Sequence, residues 1–466
     1  MNSSQILPLL GLGLVSVFAA EAKKVQPNVV VIMVDDMGYG DFGCYGNKYH
    51  KTPNVDNLAE KGARFTDFHS NGAVSSPTRA SFITGRYQQF VGIDDVVSAA
   101  SHRHVGLDTS HTSIAKLHKA NGYSTAIYGK WHLGYEEKYN PINHGFDEFV
   151  GFVSGNVDYF SHIDMANYKD WWKNDKKFEE EGYTTDIIAR YAVEYINEHK
   201  DNPFFLYLPF EATHSPYQAP EDGPVRGTNA KPATNKRPPR ETYKLMVESM
   251  DGAVGQIMEA IKANKLDNNT LVLFFSDNGG AKYSTNAPLS GKKSNVLEGG
   301  HRVSCVAYYP PTIKAGTVIN ETAMSMDLLS TICDFTKTST KGVVSDGVSL
   351  WPLLTKGTPL KDRTLFWKTF TDIAVRKGDW KLSINYREYK TKKMLPREGI
   401  TGQLVNLKDD LKEKVNLWDQ KPELVKELLE EIVAWEKSYA HVEQLSAMDV
   451  PDPIAASKRN RKSNNK

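Results

Sequence analysis

Two acidic stretches stand directly after apolar runs. "NVVVIMV" (28–34) is followed by "DDMGYGD", which sets Asp35 beside Asp36, and "TLVLFFS" (270–276) is followed by "DNGG", with Asp277 and Asn278. Adjacent carboxylates repel one another unless a cation or a set of donors holds them. Hard oxygen donors at two chain turns, with glycines that let the backbone bend, make an all-oxygen set suited to Ca2+ or Mg2+ rather than zinc. Cationic and titratable groups recur in the same setting. "GYSTAIYGKWHLG" (122–134) ends an apolar run with Lys130 and His132, and "PFFLYLPFEATHSPYQAP" (203–220) places His214 between prolines. "LSGKKSNVLEGGHRVS" (289–304) carries Lys292 and Lys293 ahead of a further run. In extended backbone, positions i and i+2 point the same way, so Lys130 and His132 are expected to face one pocket. "AVSSPTRASFITGR" (73–86) reads as a helix opened by Pro77, with Ser75 at its mouth and Arg79 one turn on. A helix N-terminus offers free N–H groups and a positive dipole end, and Arg79 can fold back over Ser75. The set amounts to an anion site beside a cation site, which suits a sulfate or phosphate ester bridging to a metal. Ser75 is placed as a nucleophile would be.

The elements that must position these groups alternate. The runs at 28–34, 124–129, 203–210, 270–276 and 303–309 are continuous and rich in β-branched and aromatic residues, as in strands buried on both faces. Helical patterns lie between them: "TPNVDNLAEKG", "SIAKLHKANG" and "ETYKLMVESMDGAVGQIMEAIKAN". The alternation predicts an α/β fold with a large central, mostly parallel sheet flanked by helices, whose sites form beyond the carboxyl ends of the strands. From about residue 356 the pattern changes to short, partly alternating runs and an amphipathic helix with Leu424, Leu428, Ile432 and Trp435 on one stripe. The expected organisation is a leader at 1–22, a catalytic α/β domain at 23–355, a smaller α+β subdomain at 356–450 and a basic, polar tail at 451–466.

The 466 residues carry a formal net charge of +1, so global charge does not point to nucleic acid, and an anionic partner must be attracted locally. The Pro-rich basic stretch at 222–240 is read as a solvated insertion or as a rim that draws in an anionic polymer. Three widely spaced cysteines, Cys44, Cys305 and Cys333, exclude a disulfide scaffold and leave room for one bridge of unspecified pairing. The apolar run from Ile6 to Ala20, followed by small residues, reads as a secretory signal cleaved near Ala20 to Ala22, with an N-terminal anchor as the alternative. A periplasmic or secreted protein without a stable membrane span after processing is expected.

The motifs are specific enough to mark a resemblance. The chain resembles the formylglycine-dependent type I sulfatases of the alkaline phosphatase-like superfamily. Ser75-Ser76-Pro77-Thr78-Arg79 with Thr84-Gly85-Arg86 matches the family's modification signature, and 122–134 matches its second signature. "PNVVVIMVDDMGYGD", "THSPY", "SDNGG", "LEGGHRVS" and "AVRKGDWKL" follow in the expected order, over about residues 27 to 438. The resemblance implies that Ser75 is oxidised to formylglycine (3-oxoalanine) by a serine-competent maturase before export. It implies Asp35, Asp36, Asp277, Asn278 and the modified Ser75 as Ca2+ ligands, and Arg79, Lys130 and His132 as partners of the aldehyde hydrate. His214 and Lys293 would bind the sulfate and assist the leaving oxygen. Cys is the commoner family residue at position 75, which leaves three readings: a natural serine-type enzyme, a Cys→Ser variant, or an inactive homologue. The expected substrates are sulfated oligo- or polysaccharides of ulvan or carrageenan type, with His102, Arg103 and His104 of "SAASHRHVGLD" (98–108) as candidate sugar contacts. A phosphoesterase of the same superfamily and a non-catalytic sulfoglycan-binding homologue are the alternatives.

Overall fold

A computed structural model describes residues 26–227, 237–385 and 402–447. The leader and the basic tail read from the sequence lie outside these residues, as do residues 228–236 of the basic loop. In chain order the first elements are β1 (Asn28–Val34), α1 (Pro53–Lys61), β2 (Ala63–His69), α2 (Ser75–Thr84), α3 (Ile114–Ala120), β3 (Ser124–Lys130) and β4 (Glu148–Phe152). They are followed by β5 (Trp172–Lys173), β6 (Lys176–Lys177), α4 (Thr184–Glu198), β7 (Phe204–Pro209), α5 (Pro239–Ala263) and β8 (Thr270–Ser276). Next come α6 (Glu298–His301), β9 (Arg302–Tyr308), β10 (Thr317–Ile319), β11 (Ala323–Met324), α7 (Asp327–Thr336) and α8 (Trp351–Lys356).

Eleven strands form one sheet in the order β10-β2-β9-β8-β1-β7-β3-β4-β5-β6, with β11 also paired to β2. Strands β8, β1, β7, β3 and β4 run parallel. Strand β9 runs antiparallel to both β8 and β2, so one of the five expected strands departs from the parallel set. The uninterrupted apolar sequence of β1 follows from its place at the centre, because both faces are covered. Val29, Val31 and Met33 pack with α2, α3, α7 and α8 on one side, and Val30, Ile32 and Val34 pack with α1, α4 and α5 on the other.

A second sheet is antiparallel: β12 (Thr364–Lys368), β13 (Asp372–Lys377), β14 (Trp380–Asn385) and β15 (Gly402–Asn406). Helix α9 (Pro422–Ser438) covers it through Val425, Leu428, Leu429, Ile432 and Trp435. Val425 and Leu429 take the inward positions, while Leu424 is only half-buried. The core of this sheet is shared with Tyr87, Val296, Met324 and Met326 of the preceding elements. Trp367 of β12 is 0% exposed, donates its indole N–H to Ser70 O at 3.0 Å and stacks on His301 at 4.2 Å. Buried ion pairs join the second sheet to the main domain, Arg376 to Asp67 of β2 at 2.7 Å and Lys381 to Glu298 of α6 at 2.9 Å. The three cysteines are free. Among the described residues no helix is long and apolar enough to cross a membrane.

Trp367→Ala removes a large side chain from the junction and leaves the Ser70 carbonyl unpaired. It is expected to cost about 3–5 kcal/mol of unfolding free energy in urea titration. A loss below about 1 kcal/mol would show that the junction can relax around the cavity.

Candidate active site

Four adjacent parallel strands deliver the chemistry to one edge of the sheet. Val34 of β1 lies in register with Ser276 of β8, so the residues that follow, Asp35 and Asp277, emerge side by side. The Asp277 N–H donates to Val34 O at 3.0 Å and the Asp36 N–H to Asp277 Oδ1 at 3.3 Å, which locks the two turns together. Asp36 takes a left-handed backbone, φ 62°, which a short polar side chain tolerates. Gly279 follows Asn278 where the chain runs against the Gly299 carbonyl, and a Cβ there would meet that oxygen at 1.9 Å. Beyond β7, the Thr213 N–H donates to Asp35 O at 2.7 Å, and His214 comes next. Strand β3, beside β7, ends at Lys130.

Extended backbone does not continue past Lys130: His132 has φ 59°. Lys130 and His132 are therefore not related by strand alternation. The Lys130 ammonium instead pairs with Asp35 Oδ2, while His132 lines the pocket above Ser75. Gly155 lies against the His132 ring, where a Cβ would come within 2.7 Å of Nε2.

Helix α2 starts at Ser75, two residues before the Pro77 start read from the sequence. Val74 is the capping position, and the loop is closed by Thr78, whose Oγ1 accepts from Gly72 N–H at 3.0 Å. This frees the Ser75 hydroxyl from capping. It donates to Asp277 Oδ2 at 2.6 Å and accepts from Arg79 Nε at 2.7 Å. Arg79 also donates to Lys130 O at 3.0 Å and to Asp277 Oδ2 at 2.9 Å. Lys293 enters from a loop whose next residue, Ser294, donates its N–H to Ala73 O at 2.8 Å, close to Ser75. Its ammonium lies 2.6 Å from Asp36 Oδ1, and His214 Nε2 lies 3.6 Å from Asp36 Oδ2. Lys292 points to solvent.

Three carboxylates and three cations share this buried volume. Burial and the neighbouring Asp277 push the Asp35 carboxyl up to about 7, against the pull of Lys130. Burial would raise Asp36 too, but Lys293 and His214 outweigh it and hold Asp36 well below the usual carboxylate range. Asp277 is likewise lowered, because Arg79 and Lys130 outweigh burial. Asp35 Oδ1 and Asn278 Oδ1 are buried without a hydrogen-bond partner. Two orphaned oxygens beside two further carboxylates fit a hard divalent cation, since unpaired buried acceptors are costly unless such an ion is bound.

The pocket above Ser75 also has walls that the motifs did not indicate: Val96–Ala99, Tyr135, Ser154, Asn156 and Met165. Asn156 faces His214 Nδ1 at 3.3 Å and accepts from Arg226 at 2.9 Å. These residues sit on loops of unremarkable composition, and only the fold brings them together. His102, Arg103 and His104 do not line this pocket. His102 Nδ1 is 3.2 Å from Val96 O within its own loop. Arg103 pairs with Asp164 at 3.0 Å between the rings of Tyr135 and Tyr168, and His104 is exposed.

Burial, reinforced by the Lys130 and Arg79 charges, holds His132 well below the ordinary histidine value, and its Nδ1 has no partner. The ring is thus neutral near neutral pH. The expected outcome is that its carbon resonances stay flat between about pH 5 and 8, with His132→Gln used for assignment; a midpoint near the ordinary value of about 6.5 contradicts this.

Known proteins resemble this chain in sequence and in fold. The sulfatase family model matches residues 27–338. Human N-acetylgalactosamine-6-sulfatase is 32% identical over 375 residues, covering 75% of this chain and 69% of that protein. Human arylsulfatase A is 31% identical over 402 residues, covering 79% and 76%. The crystal structure of Ps i-CgsB in complex with k-i-k-neocarrahexaose superposes with a TM-score of 0.79 at 30% identity, covering 93% of this chain and 97% of that one. With that family match spanning the strand ends and α2, the chain belongs to the sulfatase family and is a sulfuric ester hydrolase.

Proposed function

We propose that this sulfatase is exported and removes sulfate from carrageenan-type galactan oligosaccharides, with Ser75 oxidised to formylglycine and Ca2+ bound by Asp35, Asp36, Asp277, Asn278 and residue 75. The observation that carries the reading is the double hold on one oxygen. Ser75 Oγ is gripped by Arg79 Nε at 2.7 Å and by Asp277 at 2.6 Å, on the floor of a pocket that His132, His214 and Lys293 line. A serine needed only for structure has no reason to sit in that setting. The galactan assignment is supported by two similar proteins whose names carry galactose-type sugars, the neocarrahexaose complex and N-acetylgalactosamine-6-sulfatase.

Formylglycine supplies a hydrated aldehyde, whose second hydroxyl allows sulfate to be expelled where a plain serine sulfate would be inert. Calcium supplies a Lewis acid for the sulfuryl oxygens. The chain's own residues do the rest. Arg79 fixes the oxygen at position 75, and its bond to the Lys130 carbonyl holds the guanidinium in place. Neutral His132 takes the proton from position 75. Lys293, kept charged by Asp36 and Asp35 despite burial, balances the sulfuryl oxygens, and His214 stands on the leaving-oxygen side with Nδ1 2.8 Å from Ser215 O; burial holds it down to about 3, so Nε2 gives a proton to the departing sugar oxygen only when the bound anion first draws one onto the ring.

Mass spectrometry of the 73–86 peptide, paired with sulfate release from neocarrahexaose, tests the reading. Active protein is expected to lack two hydrogens at Ser75, and Ser75→Ala is expected to release sulfate only at background. Full activity with unmodified serine would sink the mechanism, and an unmodified, inactive but glycan-binding protein would favour the non-catalytic alternative. Metal addition gives a readout independent of turnover: Ca2+ at about 100 times its dissociation constant is expected to add about 2.7 kcal/mol of stability. Asp277→Ala should abolish that gain, and an equal gain in the variant would move the metal elsewhere.

A further inference from the structure

A second cleft has part of its wall on the loop that carries Lys293, although no residue lines both it and the pocket above Ser75. The loop between Asn278 and Lys293 folds back on Asp36, with the Ala281 N–H on Asp36 O at 3.3 Å and the Lys293 N–H on Gly280 O at 3.2 Å. Tyr283 stands on this loop. Tyr217, three residues after His214, donates its hydroxyl to Lys282 O at 3.0 Å and packs edge-on against Tyr283 at 4.9 Å. The two rings thus join the segment that carries His214 to the loop that carries Lys293. On the outer side of Tyr283 the cleft is lined by Tyr49, Arg240, Ser284 and Thr285.

The cleft has the chemistry of a sulfated sugar subsite. Tyr49 is 43% exposed, and the Arg240 guanidinium lies 5.0 Å from its ring centroid. Arg240 is exposed and makes no ion pair among the described residues, so its planar fork is available to an anion. Lys282 adds a second cation, 4.9 Å from the Tyr283 ring. The platform is fixed in advance: Asn47 Oδ1 accepts from the Tyr49 and His50 N–H groups at 2.7 and 2.8 Å. The one carboxyl in the wall, Asp41, is turned inward. It accepts from Gly38 N–H, Thr285 N–H and the Tyr243 hydroxyl, and burial pushes it up to about 7. Exposed aromatic faces suit the C–H faces of a pyranose, and an unpaired guanidinium suits its sulfate. Arg240 is also the last residue of the basic stretch at 222–240.

We infer that this cleft is a second carbohydrate subsite, which binds a further sulfated pyranose of the same oligosaccharide whose scissile ester lies over Ser75. The inference rests on the carbohydrate reading above. Steady-state kinetics of Arg240→Ala and Tyr283→Ala on neocarrahexaose and on 4-nitrophenyl sulfate test it, with the thermal midpoint of each variant as the folding control. The expected result is a KM for the hexaose raised roughly tenfold, with kcat/KM for the aryl sulfate within about twofold of wild type; Arg240→Lys should recover part of the loss. Equal losses on both substrates, or no change on the hexaose, overturn the subsite while leaving the carbohydrate reading standing. Wild-type protein that cleaves the aryl sulfate but releases no sulfate from the hexaose overturns the galactan reading, and the subsite with it.

Discussion

The structure depends on keeping three carboxylates together in a dry volume. Asp35, Asp36 and Asp277 emerge from neighbouring strands, and no arrangement of β1 and β8 in register can separate them. Each is met by a cation from a different part of the chain: Lys130 from β3, Arg79 from α2 and Lys293 from the loop before α6. Paired buried charges of this kind contribute little net stability, because desolvation offsets their attraction, yet removing one partner is costly. The arrangement therefore specifies geometry more than it strengthens the fold. It converts repulsion between acids into a demand for particular neighbours.

That demand reaches into the antiparallel sheet. The loop bearing Lys293 runs into α6, where Glu298 pairs with Lys381 of β14 and its N–H donates to Glu413 at 2.7 Å. Ser290 at the other end of the same loop donates to Lys412 O at 2.6 Å. The smaller sheet thus braces the segment that closes the anion side, through ions buried as deeply as those at the centre. This places the second sheet in the service of the first, although its own residues do not line the pocket above Ser75.

Much of this was legible in the chain, for a physical reason. Strands buried on both faces must be apolar throughout, so β1, β3, β7, β8 and β9 announce themselves, and the groups at the carboxyl ends of the four parallel ones, β8, β1, β7 and β3, are forced into one row. Asp35, Asp36, Asp277, Asn278, Lys130 and His214 lie in that row, and Lys293 joins them from the loop that follows Asn278. The direction of β9 was not readable, because an apolar run carries no information about its neighbour's polarity. The route of His132 escaped for a related reason: alternation holds only while the backbone stays extended. Asn156, Met165 and Val96–Ala99 left no trace in the motifs, since loops acquire their meaning from what the fold sets beside them. His102 and Arg103 illustrate the converse, with their side chains turned to local backbone and to Asp164, while His104 is exposed.

Helix α2 has all ten of its residues buried, and Ser75 is 2% exposed. Its hydroxyl is held from both sides within the folded chain. That atom is approached through the pocket lined by His132, His214 and Lys293, and a second protein would have to fit an active site into that narrow space. An enzyme that must enclose residue 75 would therefore meet the polypeptide before the pocket has formed. Were position 75 oxidised as proposed, chemistry on the side chain would come first, and closure of the core around it would follow.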